Sequence, residues 1–126
     1  MATISVEEFK KALDALDEAL AFSNTLSDKS FEIARDACIQ RFEFCIELAW
    51  KTSAKVLGST STTAKPVIRE MAQNQLINDV QQWFELIEAR NKSSHTYDKV
   101  VAQEVFNVVK TFPPIGRSLL KALEQK

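Results

Sequence analysis

The sequence is poor in the residues from which most enzyme sites are built. It has one histidine, one tyrosine, two cysteines and two glycines among 126 residues. A single imidazole, with no Cys-x-x-Cys spacing, argues against a metal centre, and no cofactor is expected. There is no glycine-rich phosphate loop and no His-Glu-x-x-His, so the common nucleotide-binding and zinc-protease signatures are excluded. No Asp-x-Asp cluster is present to hold two metals and a triphosphate, so this chain by itself is not expected to transfer nucleotides. Cys38 and Cys45 fall on one predicted helix, about 10 Å apart along its axis, too far for a disulfide. They read as two small apolar residues.

Charge of one sign is also lacking. Lys and Arg number 16, Asp and Glu 17, and the net charge is -1. The molecule as a whole should not attract nucleic acid or an anionic membrane at long range, so any phosphate contact has to come from a local patch. No apolar run reaches the roughly 18 residues that a spanning helix needs. The start, MATISVEEFKKALDALDEAL, lacks the basic head and apolar middle of a secretory signal. A cytoplasmic protein without a membrane partner is expected.

What is abundant is helical periodicity. Val6, Phe9, Leu13, Leu16 and Leu20 repeat at helical spacing. Ser5 and Glu8 are placed as a capping box, and Ile4 and Phe9 as a hydrophobic staple. After the polar turn 24–28, a second helix is predicted over 29–57, ended by Gly58. It carries two apolar stripes. One is Phe31, Ala34, Cys38, Phe42, Cys45, Ala49 and Val56; the other is Ile39, Ile46, Trp50 and Leu57. A single core does not need both, so the second stripe suggests a seam with another copy of the chain; the alternative is that it packs on the protomer's own last helix. The loop GSTSTT (58–63) is the best candidate for disorder. Pro66 opens a short third helix, and Asn78 or Asp79 caps a fourth that reaches about Arg90. A fifth begins near Tyr97 behind Thr96, with Tyr97, Val101, Val105, Val108 and Phe112 as its stripe. Pro113 and Pro114 break or kink it. Four main helices plus a short one suit an all-α, antiparallel up-and-down bundle over residues 1–126; periodicity leaves other helical topologies open.

The chemistry concentrates in Glu88–Asp98, which holds the only histidine and the only tyrosine. Arg90 offers a fork of donors for phosphate. A histidine such as His95 can move a proton near neutral pH, and Tyr97, Ser93 and Ser94 add hydroxyls. A proton carrier beside a phosphate clamp is what metal-free phosphodiester cleavage needs. The bland reading stands beside it: His95 as a surface capping residue, Tyr97 as the edge of the core, and Arg90 in a surface ion pair. Glu43 and Glu47, one turn apart on an otherwise apolar-rich second helix, stand as an exception to the acidic residues that follow helix surfaces, or else as a solvent face beside Lys51.

Arg90-x-x-x-x-His95-x-Tyr97 resembles the motif of HEPN proteins. More narrowly, Phe42-Glu43-Phe44, Glu47-Leu48-Ala49-Trp50-Lys51 and Arg90–Asp98 resemble the nucleotidyltransferase substrate-binding family, over nearly the whole chain. The resemblance implies a homodimer of HEPN-like helical bundles, paired with a minimal nucleotidyltransferase in a toxin–antitoxin module. It implies a metal-independent ribonuclease toxin in which Arg90 and His95 carry activity on RNA. It also implies a Tyr97 that the antitoxin silences by attaching AMP, with Asn91 as the polar residue after the motif arginine and Ser94 in support. The older reading of the same family is a non-catalytic subunit presenting a nucleotide or other substrate to the nucleotidyltransferase. A purely structural helical protein is the third possibility.

Overall fold

The computed structural model describes residues 5–126. Among these residues there are six α-helices and no strand. The helices are α1 (Glu7–Ser23), α2 (Asp28–Leu57), α3 (Ala64–Gln73), α4 (Val80–Lys92), α5 (Lys99–Val109) and α6 (Phe112–Glu124). A 3-10 turn, Ser93–His95, joins α4 to α5. The all-α fold expected from the periodicity is present, with one helix more than the five anticipated. The extra helix arises because Pro113 and Pro114 lie in the first turn of α6. A proline there lacks only an N–H that would have no partner in the helix, so the pair starts a helix instead of kinking one.

The 30-residue α2, about 45 Å long, is the axis of the molecule and touches every other α-helix. α1 folds back along it in the opposite direction. Ala15 meets Arg41, whose Nη1 donates to the Ala15 carbonyl at 2.7 Å, while Glu8 lies near Thr52 and Lys55 at the far end.

Local chemistry sets most boundaries. Gly58, at φ 65°, ends α2. Its N–H donates to the Lys55 carbonyl and that of Ser59 to the Ala54 carbonyl, the paired bonds of a Schellman motif. Gln75, at φ 63°, ends α3 by the same pair of bonds, its own N–H donating to the Ala72 carbonyl and that of Leu76 to the Met71 carbonyl. Glutamine carries no sequence signal for that geometry. Asp79 caps α4, accepting from the Gln82 N–H at 2.9 Å. Three expectations need correction. Val6, not Ser5, occupies the cap position of α1, and the Ser5 hydroxyl accepts from Glu7 N–H at 3.2 Å, so the Ser5–Glu8 box is not made; Ile4 lies outside the described residues. Pro66 is the third residue of α3, behind the cap Thr63. The loop after Gly58 is tied down, with Ser59 Oγ donating to Glu70 Oε2 at 2.5 Å and accepting from Ser61 N–H.

All six helices feed one apolar cluster. Phe112 sits near its centre, edge-to-face with both Phe42 of α2 and Trp83 of α4. Cys38 and Cys45 are free and buried, as small apolar residues would be, and burial pushes the Cys45 thiol up to about 12. The second stripe of α2 is covered within the protomer at Ile39 and Ile46, which therefore form no seam, and half-covered at Trp50 and Leu57. Ile39 and Ile46 are 2% and 0% exposed within the protomer, and Trp50 and Leu57 pack against the same core. No helix among the described residues is long and apolar enough to cross a membrane.

α1 and α6 approach closely through Gly116, buried in their contact. A Cβ there would lie 2.7 Å from Leu13 Cδ2 and 2.9 Å from the Phe112 ring. Beside it, Arg117 Nη2 donates to Asp14 at 2.7 Å and to Asp17 at 2.6 Å. Arg117, with Lys10, holds the Asp14 carboxyl below its ordinary value. Replacing Gly116 with alanine should destabilise the fold by about 1–3 kcal/mol through overpacking. Urea unfolding checks this; an unchanged midpoint would mean that α6 shifts freely and that the contact is not close-packed.

Candidate functional site

The residues singled out between Glu88 and Asp98 gather at the corner where α4 ends and α5 begins. Asn91 and Lys92 are the last residues of α4, and Ser93–His95 continue it as a 3-10 turn, so the helix runs on past Arg90, where the sequence placed its end. Asp98 then caps α5, its Oδ1 accepting from the N–H groups of Val100 and Val101 at 2.9 and 3.3 Å. Thr96, the expected cap, lies too early in the turn and donates its hydroxyl to the Ser93 carbonyl at 3.3 Å. A carboxylate also suits the positive end of a helix.

That shift decides where Tyr97 goes. Lying before the cap, it leaves the apolar stripe of α5 and is 85% exposed; the buried positions are Ala102, Val105, Phe106 and Val109. His95 is exposed as well. Its ring meets the Tyr97 ring edge-to-face, centroids 6.1 Å apart. Asn91 and Ser94 are exposed, and Ser94 Oγ donates to the Asn91 carbonyl at 3.2 Å.

Arg90 and Ser93 face inward, toward α2, and meet two carboxylates there. Arg90 Nε donates to Glu47 Oε1 at 3.1 Å, and the other oxygen of Glu47 takes Lys51 Nζ at 3.2 Å. Ser93 is buried, with Oγ 2.8 Å from Glu43 Oε2 and 2.5 Å from the Arg90 carbonyl. Because Arg90 binds Glu47 through Nε, no hydrogen bond among the described residues engages its two terminal nitrogens. Those nitrogens form one edge of the guanidinium, the edge that suits a phosphate.

Glu47 does pair with Lys51, as a solvent face would. The pair Glu43 and Glu47 is nevertheless not a solvent face alone, since both contact the motif across helices. Their spacing on an otherwise apolar helix was the available signal. Among the described residues, no three His, Cys, Asp or Glu side chains form a group that could hold a metal ion.

Comparison with known proteins bears on the family and the fold. A family model described as nucleotidyltransferase substrate binding protein like matches residues 5–125. A Haemophilus influenzae protein named probable ribonuclease HepT is 31% identical over 96 residues, which covers 70% of this chain and 66% of that protein, just under two thirds of its length. A Haemophilus influenzae structure, described as the fold of a substrate binding domain of a nucleotidyltransferase, superposes with a TM-score of 0.84 at 23% identity, covering 95% of this chain and 99% of that one. At that identity the likeness is one of fold. A crystal structure from Thermus thermophilus gives a TM-score of 0.79 at 31% identity over 91% of this chain and 98% of the other.

His95 and Tyr97 are solvated side chains that the fold does not need. His95→Ala and Tyr97→Phe should each change the unfolding free energy by less than about 0.5 kcal/mol, measured by urea denaturation. A loss well above about 1 kcal/mol from either would mark it as structural.

Proposed function

The chain belongs to the nucleotidyltransferase substrate binding protein like family, and from that premise we propose that it is a ribonuclease subunit of the HEPN type. The observation that carries this reading is the corner itself: an arginine clamped through Nε, with no hydrogen bond among the described residues on its terminal edge, on the same helix end as an exposed histidine and tyrosine. In the proposed reaction a ribose 2′-hydroxyl attacks the adjacent phosphorus. The new O2′–P bond forms as the P–O5′ bond breaks, leaving a 2′,3′-cyclic phosphate and a 5′-hydroxyl. His95 moves the proton off the 2′-oxygen, and Arg90 stabilises the charge on the non-bridging oxygens.

The leaving 5′-oxygen needs a proton donor, and one chain holds a single histidine. A homodimer supplies a second, because an isologous interface sets the same patch on both subunits. Exposed apolar residues offer a surface for it other than the second stripe of α2. Phe22, Ile33 and Phe44 are 60%, 73% and 56% exposed, and Phe22, Ile33 and Ala37 line an open groove of about 480 Å³ between α1 and α2. Phe44 directly follows Glu43, at the edge of the motif.

RNA incubated with the purified protein in EDTA should be cut to products ending in a 2′,3′-cyclic phosphate. Arg90→Ala and His95→Ala should each lower the rate at least about 100-fold. Cleavage that survives both substitutions would refute the assignment.

A partner nucleotidyltransferase is part of the reading, and the family description supports it. Tyr97, 85% exposed and without a hydrogen bond to its hydroxyl among the described residues, is the group that such a partner would modify with AMP, the phenol oxygen bonding to the α-phosphorus of ATP as pyrophosphate leaves and the phenol proton is lost. The added anion would repel an incoming phosphate at Arg90. Mass spectrometry of the co-expressed pair should find AMP on Tyr97 and none on Tyr97→Phe; an adduct confined to another residue would contradict this. Should the pure chain leave RNA intact while its partner still modifies Tyr97, the non-catalytic, substrate-presenting subunit becomes the correct reading.

A further inference from the structure

The two carboxylates of α2 face the motif, and Glu47 has the more specific geometry. It takes Arg90 by Nε, the one nitrogen whose engagement leaves the terminal edge of the guanidinium pointing away. Its second oxygen is held by Lys51 at 3.2 Å. Both oxygens of the carboxylate are therefore engaged, one on each side. Arg90 and Glu47 are 34% and 33% exposed. An ion pair this open adds little to stability, because water screens it.

We propose that Glu47 is a positioning residue, which fixes the Arg90 guanidinium through Nε so that its terminal nitrogens are already aimed at the scissile phosphate before RNA binds. The inference rests on the ribonuclease reading and adds to it. An arginine side chain has several rotatable bonds, and ordering it only when substrate arrives lowers the fraction of encounters that lead to reaction. Holding it beforehand puts the benefit in turnover rather than in binding. The same carboxylate lies across the guanidinium from the place where phosphate would sit, and its negative charge still opposes substrate binding. Glu47 thus favours the chemical step and disfavours the complex that precedes it. Ser93, held to Glu43 at 2.8 Å, fixes the turn that carries His95 in a parallel way.

Two substitutions separate these effects. Glu47→Ala removes both the acceptor and the charge. Glu47→Gln keeps an oxygen for Arg90 Nε–H, releases Lys51 and removes the charge. With wild-type protein cutting RNA, Glu47→Ala should lower kcat about 10- to 100-fold with KM unchanged or lower. Glu47→Gln should keep kcat within about threefold of wild type, with a lower KM. Nitrogen-15 NMR of the Arg90 Nε–H group, assigned by its loss in Arg90→Lys, gives a second readout that needs no activity. Its resonance should be sharp and slow to exchange in wild type and Glu47→Gln, and broadened or lost in Glu47→Ala. Wild-type kcat in Glu47→Ala would overturn the proposal. So would a loss of activity equal in both variants, which would mean that the charge, not the hydrogen bond, matters. If wild-type protein does not cleave RNA, the ribonuclease reading fails by itself. The positioning claim then stands or falls on the Nε–H resonance: an unchanged signal in Glu47→Ala overturns it, and a signal lost in Glu47→Ala and kept in Glu47→Gln upholds it.

Discussion

The ion pair between Arg90 and Glu47 joins the fold to the candidate site. Arg90 belongs to the last turn of α4 and Glu47 to the middle of α2, the helix that touches all the others. Through that 3.1 Å contact the motif is fastened to the central element of the molecule. The 2.8 Å contact of Ser93 with Glu43 repeats the arrangement one turn further along. A corner that is otherwise a short 3-10 turn with exposed side chains is in this way fixed from beneath, while His95 and Tyr97 stay on the surface.

Those two polar contacts also account for the way α2 is composed. One side of the helix is apolar and buried, from Ala34 through Cys38, Phe42 and Cys45 to Ala49. Glu43 and Glu47 stand at the border of that side, half-buried, where a carboxylate keeps part of its hydration and still reaches the neighbouring helix. Full burial would impose a large desolvation penalty on an ion pair; full exposure would leave the guanidinium free to wander. The outermost face leaves Ile33 and Phe44 uncovered.

Much of this was legible in the sequence. Gly58 announced the end of α2 and the pair Asn78 and Asp79 the start of α4, where Asp79 is the cap, because each geometry is made by a residue type suited to it. The end of α3 was not, since Gln75 adopts a left-handed conformation that glycine or asparagine usually marks. Thr96 and Asp98 both cap well, and only the backbone shows that the carboxylate wins and so puts Tyr97 outside. Periodicity identified Ile39 and Ile46 as apolar but could not say which neighbour covers them; the protomer's own helices do. The site residues came from the motif and its family likeness. The spacing of Glu43 and Glu47 on an apolar helix set them apart, but not what they touch, because Glu47 and Arg90 are 43 positions apart and Glu43 and Ser93 are 50.

The most direct test of this account is a crystal structure of the protein with a short RNA whose cleavage is blocked by a 2′-deoxy sugar at the scissile position. The account requires one phosphate within about 3 Å of the terminal nitrogens of Arg90, with Nε still bound to Glu47 and His95 beside the sugar. A phosphate bound elsewhere, or an Arg90 that has left Glu47 to reach it, would contradict the claim that the fold aims this arginine in advance.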